Sequence, residues 1–357
     1  MSGSDFDKDR AKAFMGEMVG ILNGGALSMM ISIGHRTGLF DTMANGNAVS
    51  SAELAEQTQL NERYVREWLA AMTTGGIVDY DPAAKTYALP AEHATLVTRA
   101  GGPLNIASRM QYIALMGKVE DDVVDAFTTG DGVPYSKYPD FQRLMAEESS
   151  ARLDVALLSD IIPSIPDAVE RLTAGCRFAD IGCGSGHALI LLAEAFPNSS
   201  FVGFDFSDEG LDVARSEAAQ RSLSNVEFVA GDAVNIDRPG EFDIITTFDA
   251  IHDQAHPKTV LANIANALSP NGSYLCVEPK AKTALEENMH EPVAAFQYAI
   301  STMHCMSVSI AGGGEGLGTA WGTEQTTEYL TDAGFTQIEA VDIRADRTNS
   351  YFVCHMP

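Results

Sequence analysis

The chain has 357 residues, 45% of them hydrophobic, and a formal charge of −26 at neutral pH. That length exceeds the roughly 100–200 residues of one domain, so two folding units are expected, in a soluble globular chain rather than a disordered or membrane one. The acidity repels phosphate backbones and anionic bilayers, and no run approaches the roughly 20 apolar residues of a membrane span, so neither nucleic acid nor membrane is an expected partner.

The opening stretch MSGSDFDKDRAKAF carries charge where an export signal needs an apolar run, which predicts a cytoplasmic protein. Five cysteines (Cys176, Cys183, Cys276, Cys305, Cys354) are odd in number, scattered and without a C-x-x-C pair. That is a pattern of reduced thiols rather than of disulfides or a structural zinc.

From Phe6 to about Ile33 apolar residues recur at helical spacing (Phe14, Met18, Ile21, Leu22, Leu27, Met30, Ile31). The spacing predicts one or two amphipathic helices used as core or dimer contact. The segment SSAELAEQTQLNERYVREWLAAMTTGGIVDYDPAAKTYALP reads as a Ser-capped helix, a turn, a second helix ending at Gly75-Gly76 and a hairpin around DPAAK, the outline of a winged helix. Between Ser50 and Pro90 six acidic residues face three basic ones. This reverses a DNA-binding footprint, so the region is expected to dimerise instead. Residues 101–170 are expected to be helical around a turn-rich GDGVPYSKYPDF, whose Tyr135, Tyr138 and Phe141 serve either as a pocket wall or as surface packing.

From Cys176 onward short β-rich runs alternate with helices: FADIG, FVGFD, VEFVAGD, FDIITTF, SYLCVE, QIEAVDI and SYFVC. The alternation predicts an α/β fold with a parallel, doubly wound, Rossmann-like sheet of seven strands. In FADIGCGSGHALILLAEAF a strand enters a turn carrying Gly182, Gly184 and Gly186 and then a helix. Glycines let the backbone approach a ligand, and the helix N–H groups favour a negative group, so this is a nucleotide-type cradle. His187 stands where G-x-G-x-x-G needs its last glycine, and no G-K-[ST] follows, which excludes a dinucleotide fingerprint and a P-loop.

The run D-x-G-x-G-x-G from Asp180, Asp205 at the next strand end and Gly231-Asp232 after the third strand together resemble the class I S-adenosylmethionine-dependent methyltransferases, over roughly residues 170–357. The resemblance implies that Gly182, Gly184 and Gly186 surround the methionine part of the cofactor, with Asp180 near its amino group. It also implies that Asp205 binds the ribose hydroxyls, Phe206 lies against adenine, and Asp232 with the Ala233 backbone meets the adenine edge; Phe248, closing FDIITTF, is counted with them. Carboxylates accept such hydroxyl and amine hydrogen bonds. The plain alternative for each Asp is a strand-end or helix-capping residue.

In DAIHDQAHP, metal binding by His252 and His256 is disfavoured. Pro257 belongs at the first helical position, which leaves both histidines before the helix, and no third ligand is in view. The segment resembles the HD motif after the fourth strand of winged-helix-fronted small-molecule O-methyltransferases. The resemblance implies that His252 is the general base and that Glu278, closing the next strand, orients it; Asp253 is counted with this catalytic group. A histidine near its ordinary pKa of about 6.5 is neutral and proton-accepting at cytoplasmic pH. Moving a proton onto it costs roughly 2.7 kcal/mol from a thiol, roughly 5 from a phenol and about 12–13 from an alkyl alcohol, which leaves the alcohol the poorest acceptor.

An insertion at 279–322 lies where related enzymes build an acceptor lid, and within it TMHCMSVSIAGGGEGLGTAWG offers Met303, His304, Cys305 and Met306 either as a soft pocket or as core. Where plant members of the family carry a further glutamate, this chain has Trp321. The glycine run is either a lid hinge or a flexible loop. Tyr135, Tyr138, Met303, His304 and Trp321 are the candidate acceptor-binding residues.

The whole chain resembles a bacterial branch of that family. The resemblance implies a helical and winged-helix dimerisation domain over 1–100, a helical linker contributing to the acceptor pocket over 101–170, and a methyltransferase domain over 171–357. It implies a homodimer that uses S-adenosylmethionine, releases S-adenosylhomocysteine, needs no metal and methylates oxygen or sulfur of a small molecule. Two alternatives stay open: an S-methyltransferase acting on a thiol, sulfide or thioether acid without a base, and a cofactor-sensing winged-helix regulator.

Overall fold

Ser50 accepts a hydrogen bond from the Glu53 amide while the Glu53 carboxylate takes the Ser50 N–H at 2.7 Å, a reciprocal cap that starts the helix Ser51–Thr58. Asn61 caps the next helix, Glu62–Thr74, whose Val65, Trp68, Leu69 and Met72 are buried. Strands β1 (Asp79–Asp81) and β2 (Thr86–Ala88) pair antiparallel across the DPAAK turn, with Tyr80 and Tyr87 side by side. In the computed structural model, which describes residues 6–356, this winged helix belongs to the first of two compact units, Met1–Leu115, and the second runs Met116–Pro357. Trp68 anchors the first core: its indole N–H donates to the Met30 carbonyl at 2.8 Å and its ring meets the edge of Phe40.

The N-terminal apolar stripe forms one continuous helix, Lys8–Arg36, capped by Asp7 and exposed from its start through Ala26. This corrects the expectation that no segment reaches span length. By length and composition it is the one helix among the described residues able to cross a membrane, because Gly, Ala and Ser dilute the stripe without adding charge.

The second unit holds seven strands: β3 (Arg177–Ile181), β4 (Ser200–Asp205), β5 (Val226–Ala230), β6 (Phe242–Phe248), β7 (Leu268–Pro279), β8 (Gln337–Val341) and β9 (Asn349–His355). Their order is β5-β4-β3-β6-β7-β9-β8. Side chains alternate faces as the pleat requires. Phe178, Phe201 and Ile244 enter one core cluster, while Ala179, Ile181, Val202, Phe204 and Ile245 enter the other, so both faces are covered. The sheet is not wholly parallel: β9 runs antiparallel to both β7 and β8. The connection 342–348 is too short for the crossover that a parallel β8–β9 pair would need, so the chain must turn back.

The helix Phe141–Ala156 and the segment after it belong to the same unit as the sheet. Leu153, Ala156, Leu157, Ile161, Ile162 and Ile165 pack into one of its two clusters. The two switch-point strands β3 and β6 lie side by side at the centre, and ligands of such sheets bind beyond the carboxyl ends of the strands.

Candidate active site

At the end of β3 the turn bends through three glycines with φ of +76°, +53° and +71° at Gly182, Gly184 and Gly186. A Cβ at 182 would lie 2.6 Å from the Ala250 methyl, and one at 186 would lie 2.4 Å from the Phe228 ring. Backbone angle and space both demand glycine there. The Asp205 carboxylate at the end of β4 accepts from Gly184 N and Ser207 N, each at 2.8 Å, and so ties the turn to the next strand. Asp180 is buried and accepts from the Thr246 hydroxyl at 2.7 Å. Burial pushes its carboxyl up to about 7, with Thr246 opposing and Asp205 adding to the rise. Burial likewise raises Asp205 against the pull of its backbone donors.

Phe206 is 55% exposed, and its ring lies 5.2 Å from that of Tyr135, edge to face. Asp232 caps the short turn Ala233–Asn235 by accepting from Val234 N at 3.0 Å, and the Ala233 carbonyl takes the Asn263 amide. Phe248 is half-buried at the end of β6, against the cluster that holds the β3 and β4 side chains.

Beyond β6 the backbone turns at Asp249, with φ of +54°, and its N–H reaches the Val277 carbonyl of β7. Arg152 from the helix Phe141–Ala156 grips this corner, bonding Asp249 at 3.1 Å and Asp346 at 3.4 Å. Glu278, 1% exposed at the end of β7, accepts from Ile251 N through one oxygen and holds His252 Nδ1 at 2.7 Å through the other. His252 is itself buried. Burial works against charge on its ring, but the nearby Glu278 carboxylate and then the Cys305 side chain outweigh it and hold the imidazole well above its ordinary pKa. A carboxylate beside an imidazole favours its charged form, which is the sense of this shift. Asp253 is raised to about 6, first by burial, with His252 opposing and Glu278 and Asp205 adding.

A box of rings lies alongside. His304 stacks on Phe141 at 3.8 Å and meets the edges of Tyr138 and Tyr135 at 4.6 and 5.4 Å. Tyr138 donates to the Met303 carbonyl at 2.7 Å, and Gln142 donates to the Tyr135 hydroxyl at 3.2 Å. His304 is 1% exposed, with both ring nitrogens buried and unpartnered. Burial, then the nearby His252, lowers it to about 3, which keeps it neutral.

Trp321 is buried in the core with Tyr329 against its ring edge, and the helix Gly322–Asp332 begins just after it. The glycine run is pinned, with Gly314 N on the Ser309 carbonyl, Gly316 N on the Ser309 hydroxyl, and that hydroxyl on the Gln254 carbonyl. Sequence reasoning did not single out Thr246, Gln142 or Arg152; each is an ordinary polar residue whose significance depends on a partner on another element. Among the described residues no group of three His, Cys, Asp or Glu side chains is placed to hold a metal.

Residues 172–334 match the family model described as a methyltransferase domain, and residues 25–99 match the Rv2258c-like winged HTH domain. The chain is thus a winged-helix-fronted protein of the class I methyltransferase fold. Its relatives include the demethylmenaquinone methyltransferase of Lactococcus lactis, 30% identical over 111 residues that cover 30% of this chain and 44% of that protein. The chain spans about half the length of the curated relatives it matches. The fold is shared with the mitomycin 7-O-methyltransferase MmcR (TM-score 0.70, 17% identity, 97% of this chain and 99% of that one). It is shared also with human N-acetylserotonin methyltransferase in complex with SAM (TM-score 0.64, 16% identity, 99% of each chain).

Proposed function

We propose that the protein transfers the methyl group of S-adenosylmethionine to an acidic oxygen or sulfur of a small molecule. The observation that carries the reading is the buried Glu278–His252 pair at 2.7 Å, beside a glycine turn at the carboxyl end of β3, where sheets of this kind take their ligands. Asp205 would take the ribose hydroxyls, Asp180 the amino group, the three glycines the methionine chain, and Phe206 the adenine face. Asp232 and Ala233 would sit at the adenine edge, and Phe248 would close the crevice. Bound there, the cofactor supplies an electrophilic methyl group on a sulfonium.

The chain's own work is positioning and proton handling. Glu278 fixes the His252 ring with Nδ1 protonated, which leaves Nε2 as the atom that takes the acceptor proton. Each unit by which Glu278 raises His252 removes about 1.4 kcal/mol from the uphill transfer from a phenol or thiol. Asp253, raised to about 6 chiefly by burial, feels the charge of this pair and of Asp205. Tyr135, Tyr138, Met303 and His304 would hold the acceptor, and Trp321 would support them from the core. The exposed apolar face of Lys8–Arg36, with Phe14, Met15, Met18 and Leu22, would bury itself in a homodimer.

Calorimetry with S-adenosylmethionine and S-adenosylhomocysteine, followed by labelled methyl transfer to a panel of phenols, thiols and carboxylic acids, tests the proposal. Uptake of both ligands by the native protein and loss of uptake in Asp205→Ala is the expected result. No uptake of either ligand by the native protein would end the reading.

A further inference from the structure

The ion pairs of Arg152 are unevenly matched. Arg152 meets Asp249 at 3.1 Å and Asp346 at 3.4 Å, both through Nη1. Asp346 is saturated: one of its oxygens accepts from Thr348 N and the Thr348 hydroxyl, and the other accepts from the Asn349 amide and the Tyr351 hydroxyl as well as from Arg152. Asp249 is open, because its Oδ1 is buried with no hydrogen bond, and Arg152 Nε is buried with none either. Buried charged groups left open in this way are costly, and a ligand that supplies both missing halves removes the cost.

The opening lies against the glycine turn. Asp249 follows β6 directly, and the methyl of its neighbour Ala250 would stand 2.6 Å from a Cβ at Gly182. Two residues beyond Arg152, Asp154 holds the His187 ring at 2.7 Å, and His187 opens the helix after that turn. The segment 152–154 is thus tied to both ends of the turn, through Asp249 at one and His187 at the other. The side chains of Arg152 and Asp249 keep 13% and 15% of their surface exposed against 3% for Asp346, so the open pair is also the accessible one. Asp249 holds φ of +54°, a left-handed conformation that few non-glycine residues adopt and that clusters at ligand clamps.

One kind of head group offers a carboxylate to an open guanidinium nitrogen and an ammonium to an open carboxylate oxygen: that of an α-amino acid. Charge agrees with this choice. One cation against two carboxylates leaves a surplus negative charge, which disfavours a lone anion and which a zwitterion leaves unchanged. We infer that Arg152 and Asp249 form the receptor for the α-amino-acid head group of the ligand held by the glycine turn. Arg152 takes its carboxylate and Asp249 one of its three ammonium protons, which leaves the others to Asp180. The inference rests on the methyl-transfer reading, in which that ligand is S-adenosylmethionine or S-adenosylhomocysteine. Arg152 lies upstream of the residues 172–334 that match the methyltransferase domain and Asp346 lies downstream, so chain outside that match completes the crevice.

The test is calorimetry of the full chain with three ligands: S-adenosylhomocysteine, its decarboxylated analogue, which keeps the ammonium, and 5′-methylthioadenosine, which keeps nucleoside and sulfur but has no head group. The native protein should bind S-adenosylhomocysteine at least about tenfold more tightly than the decarboxylated analogue, the scale of a lost charge-assisted hydrogen bond. Arg152→Gln should weaken S-adenosylhomocysteine at least about tenfold and leave the other two ligands within about threefold, because the interaction it removes needs the carboxylate. Should Arg152→Gln not fold, Asp249→Asn replaces it, with an expected loss of at least about fivefold for both ligands that carry the ammonium and none for 5′-methylthioadenosine. Equal native affinity for S-adenosylhomocysteine and its decarboxylated analogue, or a loss in the folded variant that is absent or equal for all three ligands, overturns the assignment and leaves the cofactor reading standing. No uptake of any of the three by the native protein overturns both.

Discussion

Replacing Glu278 by Gln isolates the electrostatic half of the His252 pair while keeping its shape. The amide oxygen still accepts from Ile251 N, now at 2.9 Å from the carboxylate, so the corner after β6 keeps its anchor. The amide nitrogen, however, donates toward His252 Nδ1, which must then give up its proton, and the ring proton moves to Nε2, the nitrogen meant to accept. Loss of a neighbouring charge at about 4 Å in a medium of effective dielectric about 20 is worth about 4 kcal/mol, or about three units of His252 basicity. In labelled methyl transfer, Glu278→Gln should lower kcat by about 10²- to 10⁴-fold, the range of a lost general base. The calorimetric affinity for S-adenosylhomocysteine should stay within about threefold, because Asp180 and Asp205 are untouched. In the native protein His252 is raised, so kcat/KM should climb with pH through a value above about 6.5, and that limb should move to lower pH in the variant. A fall in kcat smaller than about threefold, with the limb unmoved, would refute the role given to the pair.

Asp180, pushed up to about 7, is about half protonated at pH 7, and pairing with a cofactor ammonium would drive it to the carboxylate. S-adenosylhomocysteine binding at pH 7 should therefore release about half a proton, read from calorimetry in buffers of different ionisation enthalpy, and Asp180→Asn should abolish the release. His304 is held neutral down to about 3, so the unfolded chain binds its proton first as pH falls. Relative to pH well above 6.5, the fold therefore loses about 2 kcal/mol by pH 5 through this group. Urea unfolding followed by circular dichroism should show that loss in the native protein and a flatter acid limb in His304→Phe.

Much of this molecule was legible in the chain. The capping box at Ser50 and Glu53, the hairpin around DPAAK, the glycine turn after Asp180 and the placement of His252 and Glu278 at the ends of β6 and β7 all follow from local rules. Turn chemistry, side-chain period and strand-end position are carried by neighbouring residues. Tertiary structure alone decided what depends on distant partners. It set the antiparallel β9, the burial of Trp321 in the core, and the clamp of Arg152 on Asp249 and Asp346. The protonation of the site belongs to the same class. His252 and His304 start from the same ordinary pKa and are driven in opposite directions, one by a carboxylate at 2.7 Å and the other by burial among rings without a partner. A pKa is set by what surrounds a group in space, and sequence order does not contain that information.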